Sequence, residues 1–252
     1  MQRYFALPDH FTEQEVTIVG DDVHHIVNVM RAREGEEIFV SDGAGRSAVA
    51  RLVYLSAKEV RATVVEMLAE QRELPIRVTI GQGLPKGDKM EWILQKGTEL
   101  GAYSFFPFSS ERTIVKLDAK KEAKKLERWR KIVKEAAEQS HRSVLPQLLP
   151  PVSFREALEA GEQYTRRAIA YEKEGGASLH HVLSDMQADD SLLVLIGPEG
   201  GFSPEEVAQA EAKGFLSVSL GPRILRTETA SQYVLSCASY QFERITPAPR
   251  QV

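Results

Sequence analysis

The chain has 252 residues, 42% hydrophobic and 27% charged, with a net charge of −4; this is an ordinary globular composition, long enough for one large domain or two smaller ones. No apolar run reaches the length of a membrane span, and Met1-Gln2-Arg3-Tyr4-Phe5-Ala6 has no signal-peptide apolar core, so a cytoplasmic protein with no membrane partner is expected. The single cysteine, Cys237, excludes an internal disulfide and a Cys-rich metal site.

The first seventy residues read as short strands. Val16–Val19, Glu37–Ser41, Ser47–Val53 and Glu59–Val65 are β-rich or alternating, and Asp42-Gly43-Ala44-Gly45 is a hairpin signal. Asp21–Met30 is a helix-like insert. The composition predicts a small, mostly β, barrel-like domain over 1–72, ending in the polar segment Glu70–Pro75. From residue 73 strands alternate with helices, which predicts a parallel sheet running to 246. The strands are Arg77–Gln82, Tyr103–Phe108, Arg167–Tyr171, Ser191–Ile196 and Leu216–Leu220. Helices are expected over 88–100 (with an Asp88/Glu91 capping box), 119–140, Ser153–Ala160, Ser178–Asp185, from Ser203, and over Ala230–Phe242. The Pro-bearing tail Thr246–Val252 reads as a frayed end.

Charge is unevenly placed. Residues 112–142 hold 11 basic and five acidic residues in an otherwise acidic chain. Such a segment is either the footprint of a phosphate backbone or a solvated helix face.

Two motifs carry the chemistry. The strand Leu192–Ile196 runs into Gly197-Pro198-Glu199-Gly200-Gly201-Phe202-Ser203, and Leu216–Leu220 runs into Gly221-Pro222-Arg223-Ile224-Leu225-Arg226-Thr227-Glu228-Thr229-Ala230. Two strand-to-loop transitions place both loops at one edge of the sheet, where open α/β sheets bind ligands. The first loop lacks the Lys-Ser/Thr of a phosphate loop and the G-x-G-x-x-G dinucleotide signature. With Glu199 in the loop and Glu205 and Glu206 in the following turn, it is unsuited to phosphate. It suits a cationic or neutral nucleoside approached by backbone; the plainer alternative is a tight turn that needs glycine. In the second loop Ile224 and Leu225 are candidates to wall an adenine. Arg226 and Glu228 either face a substrate or pair with each other. His24–His25 and His180–His181 lack metal-ligand spacing, so no metal is expected. No nucleophile triad is visible.

With Arg3-Tyr4-Phe5, Val29-Met30-Arg31, Asp42-Gly43, Lys86-Gly87-Asp88-Lys89-Met90-Glu91, Gln95–Gly101, Ser109–Arg112 and Glu135–Arg142, these two motifs make the sequence resemble the RsmE family of ribosomal RNA methyltransferases in the SPOUT superfamily. The resemblance implies a PUA-like N-terminal β-barrel that helps hold RNA, a C-terminal α/β domain with a deep trefoil knot, and a homodimer. It implies S-adenosylmethionine-dependent methylation of uridine N3 in 16S rRNA, during small ribosomal subunit biogenesis. On this basis Leu195, Gly197, Pro198, Glu199, Gly200, Gly201, Leu220, Gly221, Ile224, Leu225 and Thr229 are the cofactor-site candidates. Arg226 is the candidate stabiliser of the anionic uracil and Glu228 a candidate base. Arg3, Arg31, Lys86, Lys89, Arg112 and Arg142 are the candidate RNA contacts. Rival readings are the same fold acting on tRNA or 23S rRNA, a non-catalytic RNA-binding or ribosome-assembly factor, and a nucleotide-binding enzyme.

Overall fold

The computed structural model describes residues 1–69, 72–115, 119–171 and 177–243; the tail expected to fray and the domain end at 246 lie outside them. The described chain falls into two compact units, Met1–Glu73 with Lys134–Leu145, and Leu74–Val133 with the residues from Pro146 on. The sequence reads as two unbroken spans, whereas here residues 134–145 return to the first unit. Several ties hold it there: Glu73 Oε1 accepts from the backbone N–H groups of Ser143 and Val144, each at 3.1 Å, the Leu145 N–H donates to the Gly43 carbonyl at 3.0 Å, and Lys134 pairs with Asp22. Side-chain-to-backbone ties across seventy residues leave no periodic trace in sequence.

In the first unit, β1 (Arg3–Phe5), β2 (Glu15–Val19), β3 (Glu37–Ser41), β4 (Ser47–Leu55) and β5 (Glu59–Leu68) form one sheet in the order β1-β3-β4-β5-β2. The β1/β3 pair is parallel and the others are antiparallel. Alternation turns Val16, Ile18, Val40, Leu52 and Val60 inward, where they are almost fully buried. The expected hairpin sits between β3 and β4. Asp42 Oδ1 accepts from the N–H groups of Ala44 (2.8 Å) and Arg46 (2.9 Å), a side chain closing its own turn. The insert begins as α1 (Asp21–His24) and widens into a π turn over His25–Val29.

The second unit is an eight-stranded sheet, all of whose pairings are parallel. Its elements are β6 (Arg77–Gly83), α2 (Lys89–Glu99), β7 (Ser104–Ser109), α3 (Ala119–Gln139), β8 (Gln147–Leu148), β9 (Val152–Ser153), α4 (Phe154–Ala160), β10 (Arg166–Ala170), β11 (Ala177–Ser178), α5 (Leu179–Ser184), β12 (Ser191–Ile196), α6 (Pro204–Ala212), β13 (Leu216–Ser219) and α7 (Thr227–Phe242), with the last six residues of α3 assigned to the first unit. The strand order is β11-β13-β10-β12-β6-β7-β8, with β9 beside β7. The central strands are apolar on both faces, as a sheet covered by helices requires. Ser153/Glu156 and Ser203/Glu206 close complete capping boxes. The box expected at Asp88 does not form, because no side-chain bond caps α2. Helix α7 starts at Thr227, three residues before the apolar run that announces it.

Candidate functional site

The strands β13, β10 and β12 are neighbours in the sheet, and their carboxyl ends meet at one edge. A cavity of about 550 Å³ opens there, a size typical of small-molecule sites. Its walls come from Ala170 and Tyr171 at the end of β10, Ile196 to Gly201 at the end of β12 and beyond, and Val218 to Gly221 at the end of β13 and beyond. Residues 223–227, Ala230 of α7 and Lys89 of α2 complete it. All of these belong to the second unit.

The glycine loop is held at both ends. Phe202, 1% exposed, stacks on Phe108 at 6.1 Å and 7° and packs against Phe154. Ser203 then caps α6. At the near end Thr227 donates its hydroxyl to the Gly197 carbonyl at 2.6 Å and accepts from Gln82 Nε2 at 2.8 Å. The buried Gln82 also donates to the Gly83 carbonyl at 2.9 Å. The end of β6, the glycine loop and the start of α7 are thereby fixed to one another. A Cβ on Gly197 would stand 2.9 Å from the Gly201 backbone, and Gly201 itself has φ +65°. The loop is closed as tightly as glycine permits, and the cavity wall here is main chain.

The charged groups are arranged in two sets. Glu199 accepts from the Lys86 backbone N–H at 3.0 Å and from the Lys89 ammonium at 3.0 Å; Lys89 also lies 3.5 Å from Glu228. Burial pushes the Glu199 carboxyl up, but the Lys89 hydrogen bond and the backbone N–H groups outweigh it and hold it below the usual range. Lys89 is raised, chiefly by Glu199. The second set is Arg223 and Arg226, exposed on the cavity wall. Gly200 presents its carbonyl to Arg112 at 2.8 Å, and the neighbouring Glu111 N–H donates to the buried Glu206 at 2.8 Å.

Of the cofactor-site candidates, Gly197, Pro198, Glu199, Gly200, Gly201, Leu220, Gly221, Ile224 and Leu225 line the cavity, as does Arg226. Leu195 and Thr229 do not. Leu195 is 0% exposed, packed where a Cβ on Gly81 would touch its side chain, so it serves the core. Thr229 is exposed on the first turn of α7, away from the lining residues. Glu228 also lies outside the lining and faces Lys89.

Two candidate RNA contacts are corrected. Arg142, 2% exposed, gives its guanidinium to Glu73. Arg3, 8% exposed, lies over the Phe39 ring at 4.7 Å. Lys89 belongs to the cavity wall. Arg31, Lys86 and Arg112 are exposed, and Arg31 is held at φ +52°.

Sequence reasoning missed the end of β10, Ile196, Val218, Ser219, Arg223, Thr227 and Ala230 as wall residues. The β10 end was findable, since a third strand end must flank two that share an edge. Thr227 was hidden because its role depends on Gln82, 145 positions away.

Known proteins match this arrangement. Residues 72–239 match an RNA methyltransferase domain family, and residues 18–65 match an RNA methyltransferase PUA domain family. The chain is 47% identical to ribosomal RNA small subunit methyltransferase E of Bacillus subtilis, covering 96% of this chain and 98% of that one. With the Synechocystis protein of the same description it is 37% identical, over 93% of this chain and 76% of the relative. The crystal structure of the Neisseria gonorrhoeae ribosomal RNA small subunit methyltransferase E bound to S-adenosyl methionine superposes with a TM-score of 0.82 at 34% identity, over 96% and 98% of the two chains.

Proposed function

Since the chain belongs to the ribosomal RNA small subunit methyltransferase E family, we propose that it uses S-adenosylmethionine to methylate N3 of a uridine in 16S rRNA, in the cytoplasm. The carrying observation is the cavity at three adjacent strand ends, walled by main chain and apolar side chains and flanked by Arg223 and Arg226. Its donor set fits this cofactor. Ile196, Val218, Leu220, Ile224 and Leu225 offer apolar contact to an adenine, and the Gly197–Gly201 main chain offers hydrogen bonds without bulk. Lys89 of the wall is paired with Glu199. When bound, the cofactor supplies an electrophilic methyl group on a sulfonium.

The protein's part is positioning and charge stabilisation. Uridine N3 carries a proton at neutral pH, and negative charge builds on the uracil as that proton leaves and the N–methyl bond forms. Arg226, exposed on the wall and anchored by its carbonyl to the N–H groups of Thr229 and Ala230 at 2.9 Å, places a guanidinium toward that charge. Glu228 is the candidate proton acceptor. Glu199 acts mainly as a clasp, tying the 86–89 turn to the glycine loop. The trefoil knot implied by the family belongs to this reading. So does the homodimer, for which Trp92 (50% exposed) and Tyr240 (90%) on the packed pair α2 and α7 provide apolar surface.

The test is incubation with labelled S-adenosylmethionine and either small ribosomal subunits or naked 16S rRNA from cells lacking the enzyme, followed by separation of nucleosides. Label in N3-methyluridine is the expected result. Cofactor binding without label in either RNA would move the target elsewhere, and absence of cofactor binding overturns the reading.

A further inference from the structure

Helix α3 carries its charges in an order that its own stability does not favour. Eight of its 21 residues are Lys or Arg and four are Glu. Lys120, Lys121, Lys124, Lys125, Arg128 and Arg130 crowd its first three turns, while Glu135 and Glu138 close it and no basic residue stands in its last turn. The macrodipole is positive at the N-terminus, so it disfavours both placements. Lys120/Lys124, Lys121/Lys125 and Lys124/Arg128 add like charges at i,i+4. Within the first turn only Glu122 offsets them. Negative charge supplied from outside the helix would relieve this repulsion.

Packing does not impose the arrangement. Leu126, Trp129, Val133 and Ala136 form the buried stripe, and any polar residue would serve on the opposite side. There Lys120, Lys124, Arg128 and Lys131 are exposed, along about 17 Å of helix axis. Of these, Arg128 also donates to Glu91 at 2.7 Å, and further along the helix Lys134 pairs with Asp22. Lys120, Lys121 and Lys124 put three exposed basic residues into the helix's first two turns. Outside this helix acidic residues outnumber basic ones, so the face is set apart from an acidic chain.

Position adds to the argument. Arg112 is bonded to Gly200 on the cavity wall, and eight residues of chain from Arg112 to Lys120 span at most about 29 Å. One RNA held at the cavity can reach both.

We propose that the exposed N-terminal face of α3 binds the phosphate backbone of the RNA substrate without reading its sequence; this rests on the RNA methyltransferase reading above. Lysines suit that task as flexible point charges, where base readout would call for planar, fixed donors.

The test compares the full chain with the triple variants K120Q/K121Q/K124Q and K120R/K121R/K124R. Affinity for small-subunit rRNA and for an RNA duplex of arbitrary sequence is measured across salt concentrations, beside cofactor affinity and Tm. The Gln variant should bind both RNAs more weakly, with a log K against log salt slope shallower by about 2–3. The Arg variant should bind as the wild type does. Cofactor affinity should hold and Tm should not fall, because repulsion within the helix is relieved. Unchanged RNA affinity and slope would overturn the proposal, as would a fall in Tm with loss of cofactor affinity, which would mean that these lysines support the fold. Wild-type protein that binds RNA with a steep salt slope yet transfers no methyl group would overturn the methyltransferase reading alone.

Discussion

In the first unit Arg142, 2% exposed, gives its guanidinium to Glu73, and Arg3, 8% exposed, lies over the Phe39 ring; in the second, Arg223 and Arg226 stand exposed on a cavity wall. All four are arginines in or beside the motifs that resemble the RsmE family. The difference is what surrounds the charge. A buried guanidinium needs a partner, as Arg142 has in Glu73, so its place in a motif reflects folding. An exposed one on a cavity wall has no such requirement and is free to meet a ligand. Motif membership alone does not separate a structural arginine from a functional one; burial and partner do.

Replacing Arg226 by Ala should break the functional side of this comparison most severely. Loss of one positioned charge donor typically lowers turnover by about 10²–10³. The predicted loss is of that size in methyl transfer, with cofactor affinity, read by calorimetry, nearly unchanged. Equal losses in both would make Arg226 a cofactor ligand. Arg142→Met should act on the other side. It leaves the Glu73 carboxylate without its guanidinium and should cost about 3 kcal/mol, read from denaturant unfolding of the first unit. Cofactor affinity should stay unchanged, because the cavity residues lie in the second unit. Weakened RNA binding with intact stability would instead restore Arg142 as an RNA contact.

The same distinction explains how much was legible in advance. Strands such as Leu192–Ile196 and helices such as the one opened by Ser203-Pro204-Glu205-Glu206 were readable because apolar period and capping chemistry are local. The shared edge of the two loops followed from the alternation of strands and helices. Leu195 was misplaced because it adjoins the glycine loop, yet strand alternation sends it into the core against Gly81. The partners of Lys89 were hidden because nothing local reveals Glu199, 110 positions on, or Glu228 beyond it. The return of 134–145 to the first unit depends in the same way on distant partners, Glu73, Gly43 and Asp22. What sequence withheld was pairing between distant side chains, which is also what decides role at this site.

The smallest predicted effect sharpens the view that charge in the first unit serves structure, and it does so through its sign. Glu138, near the end of α3, is pushed up from 4.5 to about 7, first by burial; Lys134, 3.5 Å away, opposes this, and the nearby carboxylates of Asp22 and Glu135 add to it. Tyr4, hydrogen-bonded to His25 at 3.1 Å, feels the same surroundings and rises to about 12, through burial first and then Asp22 and Glu138. A carboxyl whose folded pKa lies above its unfolded one binds more protons when folded. Its contribution is fully present below pH 4.5 and is lost as pH rises toward about 7. Glu138→Gln removes that loss while Lys134 keeps its pairing with Asp22. The variant and the wild type should therefore have similar stability near pH 4 and diverge as pH rises, the variant leading by about 1–2 kcal/mol at pH 8. Asp42 supplies the opposite sign within the same unit. Burial raises it, but Arg46 and the turn N–H groups hold it below the usual range, so its contribution is present at neutral pH and lost as pH falls through the acid range. Urea unfolding of the wild type and of Glu138→Gln between pH 4 and 8 separates the two effects. Parallel profiles would mean that Glu138 titrates alike in the folded and unfolded chain, with Lys134 cancelling the effect of burial.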